Sequence, residues 1–335
     1  VDPINLKINI LNALGRFGEG KAAVEHLLSI DPLSVIGRMN AVSEIALRDP
    51  ERAFKMATSL ASQSEWASHS ALAMIAFRTG EPEEELLHLL RAYSLDSEDL
   101  FVNAQLVSLL AHYGLSEEAL RIDRRLKGYA LQVLHRYPEA EAEYRRQLNQ
   151  EPANVDLQNS LATVFYEQGR YQEAVDIWNQ WVSQTVHGPA LAFAAFGSNA
   201  HYIDALQQVG QREQADQHAT ALRRYVAGFQ AAYGDYFETE AALAYLSAIA
   251  KDDDGMAVHA QRMIDLGWDD VRIFEENPFQ VIAKAGNQNE TLSSLRSQTI
   301  EKYAARAKRV RQFICTQNPI PNHWRPLPSS CAEGL

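Results

Sequence analysis

Residues 137–181 read YPEAEAEYRRQLNQEPANVDLQNSLATVFYEQGRYQEAVDIWNQW and carry one pattern twice. Tyr137, Glu139, Ala140 and Tyr144 are answered 34 residues later by Tyr171, Glu173, Ala174 and Trp178, and Pro152 closes the first copy. A fixed interval of that size marks stacked supersecondary units. Two antiparallel helices approach closely only where the side chain between them is small. Ala140 and Ala174 are therefore predicted at helix crossings, with Tyr144 and Trp178 filling the space toward the next pair.

Working outward, the same punctuation recurs on the N-terminal side. A first unit runs from about Ile4 to Pro32, with Gly15 and Phe17 at its turn and Gly20 at the crossing; Ser34 then stands ready to cap the next helix. A second turns at Asp49-Pro50 and keeps its helices close with Ala41, Ala53 and Ala57. The third turns at Gly80 and the fourth at Gly114, again 34 residues apart, although Glu85 stands where the third unit should have alanine. Between Gly114 and Tyr137 the register breaks. A bend at Gly128 that truncates one helix is the favoured reading, over a single helix spanning about 116–134.

On the C-terminal side the period lengthens. Gly210 and Ala215 lie 41 residues after Gly169 and Ala174, which places about seven extra residues in 185–193. A further hairpin is predicted from 241–249 and 256–266, then a short apolar segment at 278–285 and a charged helix at about 291–313. Residues 314–335 contain four prolines and no helical period, and are expected to be an extended tail packed back on the helices.

The spacing resembles the tetratricopeptide repeat (TPR): a small residue before the helix–helix turn, tyrosine after it, alanine three residues on, an aromatic four beyond, proline at the end. The resemblance implies an all-α chain, a right-handed superhelix or solenoid of about seven hairpins over residues 1–313. It also implies a function: a non-catalytic scaffold binding a protein or peptide in a concave groove lined by the first helix of each pair. Carried over position by position, the groove residues are Asn5, Asn9 and Asn12; Arg38 and Val42; Ser70, Met74 and Phe77; Phe101, Ala104 and Ser108; and Asn159, Thr163 and Tyr166. Asparagines suit the amides of an extended peptide, while Met74, Phe77, Phe101 and Tyr166 suit apolar anchors. The cationic and asparagine clamp by which family members grip chaperone-tail carboxylates is not present as a set. A second resemblance joins Asp270–Phe279 to the L-x-x-x-P-x-F ending of repeat domains attached to bacterial winged-helix regulators and nucleotide cyclases. It implies an output domain upstream with this chain as the input module of a larger membrane-anchored regulator, and it would fit an extracytoplasmic disulfide. The opening Val1-Asp2-Pro3 reads separately, like the end of an earlier repeat.

Composition narrows the alternatives. Charged residues make up 22% of the chain and hydrophobic ones 46%, as in ordinary folded proteins. With 31 Lys and Arg against 43 Asp and Glu the net charge is −12, which argues against nucleic acid as the partner. No apolar run approaches the roughly 20 residues that span a bilayer, the longest candidate being 189–196. Two cysteines, Cys315 and Cys331, are either unrelated thiols or a disulfide closing a short loop. The bond would place the chain in an oxidising compartment such as the periplasm; without it the cytoplasm is equally open.

Several motifs invite chemistry and do not carry it. Gly15–Ala22 is one residue short of a phosphate-binding loop, but Ala22 lacks the hydroxyl that holds magnesium and the preceding residues read as helix. Asp252-Asp253-Asp254-Gly255 does not alternate its ligands as a calcium loop must, and Met263 stands where the loop needs glutamate; it reads as a solvated turn. No zinc spacing, nucleophile elbow or cysteine-protease signature occurs, so no catalytic residue, metal or cofactor is expected. Two basic clusters, Arg121/Arg124/Arg125/Lys127 and Lys302/Arg306/Lys308/Arg309/Arg311, read first as solvated helix faces.

Overall fold

The computed structural model describes residues 3–46, 49–182, 196–235, 237–266, 289–316 and Cys331, and every regular element among them is helical. In order they are α1 (Pro3–Ala13), α2 (Phe17–Ile30), α3 (Val35–Ile45), α4 (Pro50–Ser59), α5 (Glu65–Thr79) and α6 (Pro82–Leu95). Next come α7 (Leu100–His112), α8 (Ser116–Ile122), α9 (Lys127–Val133), α10 (Tyr137–Leu148), α11 (Val155–Glu167) and α12 (Tyr171–Val182). The series ends with α13 (Phe196–Gln208), α14 (Arg212–Tyr233), α15 (Phe237–Ile249), α16 (Asp253–Asp265) and α17 (Glu290–Thr316). Partners within a pair pack together, as α5 on α6, α11 on α12 and α15 on α16. Second helices then meet the first helix of the next pair, as α4 meets α5, α6 meets α7, α10 meets α11 and α12 meets α13. This is the nearest-neighbour packing of the expected helical repeat.

One turn design recurs. After α5, Gly80 N–H donates to the Phe77 carbonyl at 3.3 Å and Glu81 N–H to Ala76 at 2.9 Å. These two bonds satisfy carbonyls the helix end leaves open, and they require a left-handed residue, here Gly80 at φ +73°. Gly114, Gly169 and Gly210 repeat the arrangement. His135, at φ +58°, repeats it too, with Arg136 N–H on the Leu131 carbonyl at 2.9 Å. His135 lies 34 residues before Gly169, so the missing turn signal of the irregular unit is present but is not a glycine. Helix starts follow the side-chain rule: Ser34, Asp49, Ser64, Asp99, Asn154 and Asp252 each accept a hydrogen bond from a first-turn N–H. Asp252 thereby opens α16, which is how the acidic run is used.

The irregular stretch corrects the expected bend. The chain breaks at Asp123, extended at φ −151°, and Gly128 lies buried inside α9. The Asp123 carboxylate accepts from Asn103 Nδ2 at 2.9 Å, from Arg125 N–H at 2.8 Å and from the Arg125 guanidinium at 2.7 Å, so the break is held by its own hydrogen bonds. Both flanking helices shrink to 7 residues, which accommodates the shortened interval. The predicted extra residues at 185–193, the segment 278–285 and the Asp270–Phe279 resemblance lie outside the described residues.

The chain forms two compact units: unit 1 holds Val1–Lys7, Lys21–Arg136 and Ala304–Leu335, and unit 2 holds Ile8–Gly20 and Tyr137–Tyr303. In unit 1, Val42, Ala46, Ala53, Ala57, Leu60, Ala67 and Ala71 form one buried cluster, with the alanines where helices must approach. The last turns of α17 dock here: Arg309 Nε meets Glu83 at 2.6 Å and Arg311 Nε donates to the Tyr113 carbonyl at 3.3 Å. Two members of the C-terminal basic cluster thus have partners within unit 1, although Arg309 stays 53% exposed, as expected of a solvated face. Helix α17 also runs to Thr316 with Ile314 buried, so the tail does not begin at residue 314 as expected.

Cys315 and Cys331 Sγ atoms lie at bonding distance, 2.10 Å, with the Cα atoms 5.7 Å apart. Iodoacetamide treatment of the denatured chain should leave its mass unchanged, and prior reduction should add two alkyl groups; alkylation without reductant would show that the thiols are free.

In unit 2, Ala140, Ala174 and Ala215 are fully buried, and Tyr144 and Trp178 fill the spaces beside them as the repeat spacing predicts. Phe17 packs edge-on against Tyr225 and Phe229 of α14, ring centroids 4.9 and 5.2 Å away.

Candidate functional site

Among the predicted groove residues of unit 1, the structure treats each helix differently. Phe101, in the first turn of α7, is 54% exposed, while Met74 and Phe77 on α5 are half-buried. Val42 and Ser70 are buried and so are packing residues, a correction to their expected placement. The side chains of Asn5, Asn9 and Asn12 lie outside those described; their backbone belongs to α1.

Arg38 does not simply face outward from α3. Its Nη2 donates to Ser59 Oγ and, at 3.4 Å, toward the Met56 carbonyl on α4. It thereby lines an open cleft of about 490 Å³ together with Leu28, Pro32, Leu33, Arg52, Lys55, Met56 and Ser59. Arg52, Lys55, Met56 and Ser59 sit three and four residues apart, one stripe of α4, while Ala53 and Ala57 on its other side enter the core. Sequence reasoning missed this cleft, yet one signal was there. Leu33 precedes the Ser34 cap, where an apolar residue ordinarily packs on the fourth helical residue. That residue is Arg38, so Leu33 has no apolar staple partner and stays 66% exposed.

In unit 2 the three predicted residues on α11 turn inward. Tyr166 is only 3% exposed: its hydroxyl donates to Asp204 Oδ2 at 2.6 Å, shares a 3.1 Å hydrogen bond with Tyr245, and its ring stacks on His201 at 4.6 Å. Burial pushes the Tyr166 and Tyr245 phenols far above the usual range, so both remain neutral donors. Thr163 is buried with its hydroxyl on the Asn159 carbonyl at 3.0 Å, and Asn159 Oδ1 accepts from Trp178 Nε1 at 3.0 Å. Tyr166 and Thr163 are therefore corrected from groove lining to core, and Asn159 is occupied in holding Trp178. Buried polar groups need partners, and these side chains supply them to one another.

His201 is the exception. It is buried with neither ring nitrogen hydrogen-bonded, and burial alone holds its pKa down to about 3. In unit 1, His69 Nδ1 and His88 Nδ1 face each other at 3.0 Å, one donating and one accepting. Burial, then the neighbouring His69, lowers the pKa of His88 to about 4. Among the described residues no three His, Cys, Asp or Glu converge on a metal-sized site, and no helix is long and apolar enough to cross a membrane. The Gly15–Ala22 stretch lies at the turn from α1 into α2, with no strand ahead of it to shape a phosphate loop.

No family model matches the chain, and no curated protein matches it. Among solved structures it is similar to a chain of the APC/C hetero-tetramer Cut9-Hcn1, at 13% identity and a TM-score of 0.47, over 99% of this chain and 75% of that one. The fold assignment rests on the hairpin geometry above and not on that likeness.

Proposed function

We propose that this chain is a non-catalytic scaffold that binds a protein or peptide segment on the first-helix face of unit 1, with Phe101, Phe77 and Met74 as apolar anchors. The observation that carries the reading is Phe101: a large aromatic ring left 54% exposed at the first-helix position where the repeat pattern expects a ligand contact. Such rings dominate interface energies because they bring much area at little entropic cost. The reading gives no role to Asn159, Thr163 or Tyr166, whose polar atoms are spent inside unit 2.

Peptides selected by phage display on the immobilised protein test it. Their binding should weaken at least about tenfold with Phe101→Asp, roughly 1.4 kcal/mol, while the thermal midpoint of the variant stays at the wild-type value. Selected peptides that bind Phe101→Asp as well as wild type remove this face from consideration.

A further inference from the structure

The cleft beside α2 and α4 combines an apolar lining with cationic side chains. Its floor is apolar, from Leu28, Leu33 and Met56, and its walls carry three cations, Arg38, Arg52 and Lys55. That concentration occurs in a protein of net charge −12. The cations are not committed equally. Arg38 is tied to α4 through Ser59 and the Met56 carbonyl, which fixes its position. Lys55 pairs with Glu51 one turn away at 2.6 Å, but both side chains are mostly exposed, and a solvated pair of this kind is weak and exchanges readily. The Arg52 guanidinium makes no ion pair among the described residues: the adjacent Glu51 pairs with Lys55, and Asp49, three residues back, caps the helix by accepting from Arg52 N–H at 2.9 Å.

We infer that this cleft is a second docking site, on the side carried by second helices, and that it takes an acidic peptide segment with a large apolar residue flanked by aspartate or glutamate. The apolar residue would lie on Leu33 and Met56, removing from water a leucine that its own helix leaves unstapled. Flanking carboxylates would meet Arg52 and Lys55, where charge complementarity sets selectivity against basic segments. A fatty acid or anionic lipid offers related chemistry, but three cations spread over one helical stripe and a neighbouring helix fit several separated carboxylates better than one headgroup. The inference rests on the scaffold reading but not on the Phe101 face.

The test uses fluorescence polarisation with three labelled synthetic peptides and the full chain. One peptide has a central Leu-Phe pair flanked by Asp and Glu; the second has those acids replaced by Asn and Gln; the third has Leu-Phe replaced by Ser-Ser. Only the first should bind, more weakly as salt rises. Arg52→Glu with Lys55→Glu should reduce its affinity at least about tenfold and Leu33→Ser several-fold, with thermal midpoints unchanged because all three side chains face solvent. Arg124→Glu, an exposed cation elsewhere in unit 1, is the control and should have little effect. Binding unaffected by the double reversal overturns the inference, as does equal binding of the uncharged peptide. Binding of a fluorescent fatty acid, displaced by oleate, without any peptide binding overturns the inference and assigns the cleft to an acyl chain instead. Peptides lost on Phe101→Asp but retained on the double reversal place docking on the first-helix face alone, so the two readings fail separately.

Discussion

Trp178→Ala is expected to destabilise unit 2 by about 3–5 kcal/mol, the largest loss from any single substitution considered for this fold. The indole is fully buried on α12, with Tyr202 edge-on at 5.8 Å and Tyr166 tilted against it at 6.3 Å. Truncation opens a hole between helix pairs, and the rigid neighbours can collapse into it only partly. A second term adds to the first: Nε1 donates to Asn159 Oδ1 at 3.0 Å, and without it a carbonyl in this confined position loses its partner. Urea unfolding should show a lower midpoint with an unchanged slope. A loss below about 1 kcal/mol would mean that the bulky position of the repeat is not what joins one pair to the next.

The second large effect is a loss of stability in acid, traced to His201. Its folded pKa, about 3, lies below the ordinary value of 6.5, so the unfolded chain binds the proton first as pH falls. The stabilising contribution is therefore complete above pH 6.5 and is lost progressively between about 6.5 and about 3. His88, held near 4, acts with the same sign over a narrower window. Each unit of separation is worth about 1.4 kcal/mol, which gives on the order of 3 kcal/mol from His201 by pH 4. His201→Phe retains an aromatic ring against Tyr166 and removes the titration. Whatever its stability at pH 7, the variant should lose less between pH 7 and pH 4 than wild type does. Parallel loss in both proteins would show that His201 is not what makes the fold acid-sensitive.

How much of this was legible beforehand depends on where each residue's partner lies. Ala140, Ala174 and Trp178 were readable because the constraint repeats with the hairpin, and the same side-chain size is demanded at each interval. Asp123 was not, because aspartate is tolerated in many settings and its role as a break depends on Asn103, twenty residues earlier in the chain. His135 escaped for a related reason: the turn needs a left-handed residue, and histidine does not announce one. Tyr166 has a first-helix position that suits a groove, but its hydroxyl partners are 38 and 79 residues away, and no local pattern places them. The cleft beside Arg38 was half legible, since an apolar residue before a cap with a charge at the staple position is visible in sequence alone.

Phe17 has a consequence for the order of events during synthesis. Its aromatic partners, Tyr225 and Phe229, are more than two hundred residues downstream, so this packing cannot form until most of the polypeptide has left the ribosome. The α17 arginines impose the same delay on their own neighbours, since Arg309 reaches back 226 positions to Glu83. Closing such long spans is entropically slow. A helical array made only of adjacent contacts can zip up as it emerges. This one has stitches that wait for the far end, and fragments truncated between Arg136 and Tyr225 should retain helix while leaving Phe17 without its aromatic neighbours.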